Sequence, residues 1–200
     1  MSKSLGNFIT IQEVVNKYKN GEILRLYYNQ THYRRPLDFR IENLEGMKEV
    51  LNNFYYTIDL ANSYIKENFE NSSGSIKEEV DKVVKQFEEA MNNNLNTPVA
   101  LAKLHDLRKL IEDYIIKEKI NLSSLIYAKE KLVELANILG FLYKERSVEI
   151  ENLIRELINL RNFLREKKEY EIADKIRDAL EKANIEVVDL KGKTIWRIKF

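Results

Sequence analysis

Asn43-Leu44-Glu45-Gly46-Met47-Lys48-Glu49-Val50-Leu51-Asn52-Asn53-Phe54-Tyr55-Tyr56-Thr57-Ile58-Asp59-Leu60-Ala61 sets Leu44, Met47, Val50, Leu51, Phe54, Tyr55, Ile58 and Ala61 at three- and four-residue spacing. That is the period of an amphipathic helix, predicted over 42–69. Asn71-Ser72-Ser73-Gly74 breaks it. Ser75 with Glu78 reads as a capping box, opening a helix along Ile76, Val80, Val83, Val84 and Phe87 to about Met91. Asn92 to Asn96 is a loop, and Thr97-Pro98 starts the next helix as N-cap and first-turn proline. That helix carries Ala100, Leu101, Leu104, Leu107, Leu110, Ile111 and Ile115. Asn121 to Ser124 cap a further helix, which stops at Gly140 in a left-handed C-cap. Four helices with one apolar face each are expected to pack as an antiparallel bundle.

Upstream, Thr10 and Glu13 form another capping box before a short helix to about Lys19. Residues 22–30 form a second helix, buried along Ile23, Leu24, Leu26 and Tyr27. In Thr31-His32-Tyr33-Arg34-Arg35-Pro36-Leu37-Asp38-Phe39-Arg40, the proline pushes Arg35 out of helical geometry. Three arginines with an interleaved tyrosine in an irregular segment suit contact with a nucleic-acid backbone, or else a salt-bridged connector. Downstream of Ser147, residues 148–167 read as a helix with Ile150, Leu153, Ile154, Leu157, Leu160 and Leu164 buried. A helix over 170–183 follows. β-branched Ile185, Val187 and Val188, a turn at Leu190 to Lys193, and Thr194 to Ile198 then read as a hairpin. The expected fold is mainly α. A segment over 1–40 is followed by a helical bundle over 41–146 and a small α+β module of two helices and a β-hairpin over 147–200.

Hydrophobic residues make up 44% of the 200, enough for a core, and six glycines with two prolines favour long helices over a turn-rich β fold. There are no cysteines, so disulfides and Cys-type zinc sites are excluded. No apolar run is long enough to span a bilayer, and a cytoplasmic protein without a membrane partner is expected. His105 falls on or near a buried helix face and reads as a core or boundary histidine, not a metal ligand. Charge is uneven. Residues 1–40 carry seven Lys/Arg against three Asp/Glu, residues 41–160 fifteen against twenty-one, and residues 161–200 eleven against eight. Two basic ends around an acidic middle suit two phosphate contacts on one extended partner, or merely solvated faces.

The first seven residues, Met1-Ser2-Lys3-Ser4-Leu5-Gly6-Asn7, combine a lysine, two hydroxyls and a glycine in a form suited to phosphate contact. The string resembles the KMSKS signature loop of class I aminoacyl-tRNA synthetases, starting inside the motif. The resemblance implies that this loop closes over ATP (with its Mg), with Lys3 stabilising the phosphates and Ser2 and Ser4 beside it.

The rest of the chain resembles one such family, the cysteinyl-tRNA synthetases. The resemblance rests on Glu22-Ile23-Leu24-Arg25 through His32-Tyr33-Arg34-Arg35-Pro36, on Leu95-Asn96-Thr97-Pro98-Val99-Ala100-Leu101, on Ala173-Asp174-Lys175-Ile176-Arg177-Asp178-Ala179-Leu180, and on Gly192-Lys193-Thr194-Ile195-Trp196-Arg197. It implies a stem-contact segment over 1–40 and an anticodon-binding module over 147–200. It implies tRNA(Cys) and the catalytic domain of the same enzyme as partners. The family's His-x-Gly-His-type signature and cysteine-rich zinc site have no counterpart in these residues. Zinc is therefore expected only in the catalytic half, and the chain alone is expected to be inactive.

Candidate tRNA contacts are Arg34, Arg35 and Arg40 in the loop and, by resemblance, Arg165, Tyr170, Asp174 and Asp189 in the last module, with Trp196 and Arg197 beside them. Tyr170 stands where the family usually has a tryptophan and keeps a stacking surface. Trp196 reads either as a platform or as core. Unstacked anticodon bases are recognised by aromatic stacking and by hydrogen bonds on their Watson–Crick edges, which a carboxylate can accept. The other class of function these residues allow is a non-catalytic helical RNA-binding or interaction module.

Overall fold

In the computed structural model the chain forms two compact units, one through Leu142 and one from Tyr143 to Lys199. Residues 10–18, 20–66, 74–116, 120–143, 148–190 and 193–198 are described; for 148–151, 190, 193, 197 and 198 this means the backbone alone. The boundary expected at 146, the breaker at 71–73 and the turn at 191–192 lie outside the described residues.

The first unit contains α1 (Ile11–Tyr18), α2 (Glu22–Asn29), α3 (Asn43–Lys66), α4 (Lys77–Asn92), α5 (Thr97–Ile116) and α6 (Leu122–Ile138). The capping box before α1 is formed: Thr10 N–H donates to Glu13 Oε2 at 2.6 Å, and Glu13 N–H donates to Thr10 Oγ1 at 3.1 Å. The Thr10 N–H holds the Glu13 carboxyl below its ordinary pKa. α3 buries the face its spacing predicts, with Leu44, Leu51, Phe54 and Ala61 fully enclosed. It packs on α2, α5 and α6, while α4 and α5 pack on each other and both touch α6. Each helix thus buries its one apolar stripe against its neighbours.

Three local details position the first unit. Asn121 Oδ1 accepts the Ser124 N–H at 3.1 Å and caps α6. α6 ends at Gly140 with φ +88, where a Cβ would lie 2.8 Å from Arg25 Nη1. The box read at Ser75–Glu78 does not form. α4 starts after Ile76 without a side-chain cap, and the Ser75 hydroxyl instead meets the Ser124 hydroxyl at 3.1 Å and accepts the Lys77 N–H. A tertiary partner on α6 has displaced the local one. His105 packs on Phe54, ring centroids 4.9 Å apart, and its half-burial lowers its pKa.

The second unit contains α7 (Val148–Glu166), α8 (Tyr170–Lys182), β1 (Ile185–Leu190) and β2 (Lys193–Ile198). The strands pair antiparallel, with Val187 opposite Trp196 and Asp189 opposite Thr194. Ile154, Ile158, Leu180, Ile185 and Val187 form the core, with Leu157, Ile176 and Trp196 packed against it. The buried stripe of α7 differs from the expected one. It runs Ile154, Ile158, Arg161, while Leu153, Leu160 and Phe163 are exposed. An arginine occupies a position in the stripe where the leucines suggested a rotated face.

Candidate nucleic-acid interface

In the first unit the candidate residues sit on the irregular segment between α2 and α3. Tyr27 holds this segment to the bundle. Its hydroxyl donates to the Asp38 carbonyl at 2.7 Å and accepts from Arg40 N–H and Asn43 Nδ2, both at 3.4 Å. Its ring meets Phe39 edge-on at 5.4 Å. The tip is ordered by local bonds. Arg35 N–H donates to the His32 carbonyl at 2.8 Å, and Arg34 N–H donates to His32 Nδ1 at 3.2 Å. A neutral His32 therefore carries its ring proton on Nε2. His32 stacks on Tyr33 at 4.7 Å, and the Arg34 guanidinium lies 5.5 Å from the same ring.

The three arginines are not equivalent. Arg34 and Arg35 line a hollow of about 450 Å³ together with Thr31, His32, Asn96 and Pro98. Arg40 lines a different and larger hollow, of about 720 Å³, whose wall also holds Asp38 and Glu42. Arg40 grips Asp38 with Nε at 2.8 Å and Nη2 at 2.7 Å, which raises the Arg40 pKa further. Its charge is thus balanced within the segment, as in the salt-bridged connector reading. Among the described residues, Arg34 and Arg35 form no ion pair.

In the second unit the decisive group is one the sequence reading missed. Arg161 is 1% exposed and reaches from α7 to β1. Its Nη1 donates to Asp189 Oδ1 at 3.0 Å and its Nη2 to Oδ2 at 2.7 Å. Nη1 also donates to Asn162 Oδ1 at 3.0 Å, and Asn162 Nδ2 donates to Thr194 Oγ1 at 3.2 Å. The Thr194 hydroxyl, directly across the hairpin, donates to Asp189 Oδ1 at 2.9 Å. Arg165 Nη1 lies 3.6 Å from Oδ2 on the solvent side. The Asp189 carboxyl is held below its ordinary pKa, first by Arg161 and then by Thr194, against the opposing effect of burial. A carboxylate has about four acceptor sites, so these bonds occupy most of what Asp189 can offer a base. The signal for Arg161 was its place at i+7 from Ile154 in the buried stripe.

The remaining candidates are distributed as follows. Tyr170 opens α8 and is 55% exposed; Asp174, one turn on, is exposed on the same face. Arg165 and Asp189 are brought together. Trp196 packs on the small core, the second of its two readings. Arg197 is on β2, and its side chain lies outside the described residues, as do Ser2, Lys3 and Ser4. Among the described residues no group of His, Cys, Asp and Glu could hold a metal ion, and no helix is long and apolar enough to cross a membrane.

The family profile described as the class I (C) tRNA synthetase catalytic domain matches residues 1–49, and that of the DALR domain matches residues 86–143. The cysteine–tRNA ligase of Archaeoglobus fulgidus is 34% identical over 100% of this chain, which covers 43% of that relative. The chain is similar to cysteinyl-tRNA synthetases along its whole length. The enzyme of Thermococcus gammatolerans is likewise 34% identical over 98% of the chain and 43% of its own length. That of Desulfitobacterium hafniense is 35% identical over 70% of the chain and 30% of its own. The chain thus spans less than half the length of these cysteinyl-tRNA synthetases. The catalytic-domain match takes in α1, α2, the 31–40 segment and the start of α3, and the DALR match runs from the second half of α4 through α6.

Proposed function

We propose that this chain is the tRNA-binding part of a cysteine–tRNA ligase, the enzyme that activates cysteine with ATP and joins it to tRNA(Cys). The observation that carries the reading is the end-to-end match to relatives of that name, covering 100% of the chain. Residues 1–40 would supply the signature loop and stem contact, 41–146 the helical bundle, and 147–200 the anticodon module. Lys3, with Ser2 and Ser4, would face the ATP phosphates and the Mg that accompanies them. Developing charge on pyrophosphate is stabilised by a fixed cation, and Lys3 needs the catalytic domain of the same enzyme to hold it in place. Zinc would belong to the catalytic half of the enzyme.

In the anticodon module Tyr170 offers a stacking surface, and Asp174 accepts the N–H donors of a base. Arg165 stacks on a base or grips phosphate, and Trp196 and Arg197 lie on the returning strand of the hairpin. In the stem-contact segment Arg34 and Arg35 meet the RNA backbone; Arg40, paired with Asp38, contributes less. A cytoplasmic location follows from the same reading. Two assays test it. Filter binding should retain a cysteine-type tRNA transcript on the 200-residue chain, and ATP–pyrophosphate exchange should be absent with that chain alone. Failure to retain tRNA would overturn the binding role, and exchange by the pure chain would overturn the division of labour.

A further inference from the structure

We infer that the hollow between the 31–35 tip and residues Asn96 and Pro98 is a binding site for a single phosphate group, supplied by an RNA backbone. The inference rests on the proposed tRNA-binding role and assigns one part of it to a defined place. The hollow, of about 450 Å³, is larger than one phosphate needs, which leaves room for the flanking sugars. Two arginines and no acidic residue line it. That distinguishes it from the neighbouring hollow, where Arg40 is matched by Asp38 and Glu42.

Arginine presents a planar fork of donors that suits phosphate oxygens. The backbone carrying Arg34 and Arg35 is fixed by the two bonds to His32 and by the Tyr33 stack, so little ordering remains when an anion arrives. Thr31, His32 and Asn96 add further polar groups to the lining. His32 Nδ1 is taken by the Arg34 N–H, so a neutral His32 has only Nε2–H to offer a ligand. The site joins a segment matched by the catalytic-domain profile to one in the DALR match, which begins at residue 86. A phosphate held there would bridge the two regions within the first unit.

The protein has two histidines, His32 and His105. His32 lines the hollow, while His105 packs on Phe54 inside the bundle and serves as an internal control. The experiment is side-chain NMR of both imidazoles in the full chain, titrated at constant pH first with inorganic phosphate and then with a cysteine-type tRNA transcript. The expected result is a saturable shift of His32 with each ligand and none at His105. Asn96→Asp is the informative variant. Aspartate matches asparagine in size and shape, so the fold stays, while a carboxylate enters the lining of the hollow. Phosphate and RNA binding at His32 should weaken at least about tenfold. Arg35→Ala should do the same.

No shift of His32 with either ligand, while the chain still retains tRNA on a filter, would overturn the site and leave the tRNA-binding role standing. A phosphate shift in a chain that retains no tRNA would overturn the assignment to RNA together with the proposed role. Unchanged phosphate binding in Asn96→Asp would also refute the proposal.

Discussion

Removing the Asp189 carboxylate should unfold the second unit more readily than its half-exposed position suggests. Arg161 is 1% exposed, and in Asp189→Ala its guanidinium keeps Asn162 Oδ1 as its one remaining acceptor among the bonds described. Stranding a fully buried ion this way costs about 3–5 kcal/mol. The Asp189 side chain is 44% exposed, so water already screens part of the attraction and a loss of about 2 kcal/mol is expected. With a urea dependence of about 1 kcal/mol per molar for so small a unit, the midpoint should fall by about 2 M. Fluorescence of Trp196, the chain's single tryptophan, reports on this unit because the ring packs on its core. Arg161→Met removes the buried charge instead and leaves Asp189 to water, Thr194 and Arg165; it should lose less, about 1 kcal/mol. pH gives an independent check. The folded pKa of Asp189 is lowered, so its contribution is complete above the ordinary carboxylate pKa and is lost as pH falls through the folded value. Wild-type stability should therefore decline on acidification more steeply than that of Asp189→Ala. A variant within about 0.5 kcal/mol of wild type, with the same acid dependence, would refute the reasoning.

Other perturbations separate the candidate contacts. Arg34→Ala and Arg35→Ala should each reduce the slope of log affinity against log salt by about one, equally for any anticodon, whereas Arg40→Ala should change it little; fluorescence-anisotropy titrations at several salt concentrations measure this. Tyr170→Ala should weaken tRNA binding by about 1–3 kcal/mol while Tyr170→Phe does not, read in the same assay. Gly140→Ala should lower the stability of the first unit by about 1–2 kcal/mol, since φ there is +88 and the new Cβ would meet Arg25; helix melting by circular dichroism checks it.

The helices of the first unit were legible because their period is regular and their caps are local. The Thr10–Glu13 box and the Gly140 stop lie within a few residues of the backbone groups they satisfy. The Ser75–Glu78 box was misread because Ser124, on another helix, competes for the same hydroxyl, and no local pattern announces that. α7 was read with its leucines inward because hydropathy cannot foresee that Arg161 is neutralised by Asp189 across the hairpin. With Ile154 and Ile158 in the core, Arg161 completes the buried stripe, and Leu153 and Leu160 are exposed. Similarly, the sequence marks Arg34, Arg35 and Arg40 as one basic run. Only folding divides them, balancing Arg40 with Asp38 and placing the other two along a hollow that Asn96 also lines. Tyr170 and Asp174 needed no folding to be paired, since one helical turn separates them.

The most direct test of the account is binding of this chain to a cysteine-type tRNA transcript and to the same transcript with its anticodon changed, across a range of salt. The account predicts a preference for the GCA anticodon that persists as salt rises, because base contacts release few counterions. Equal affinity for both transcripts, falling steeply and in parallel with salt, would contradict it.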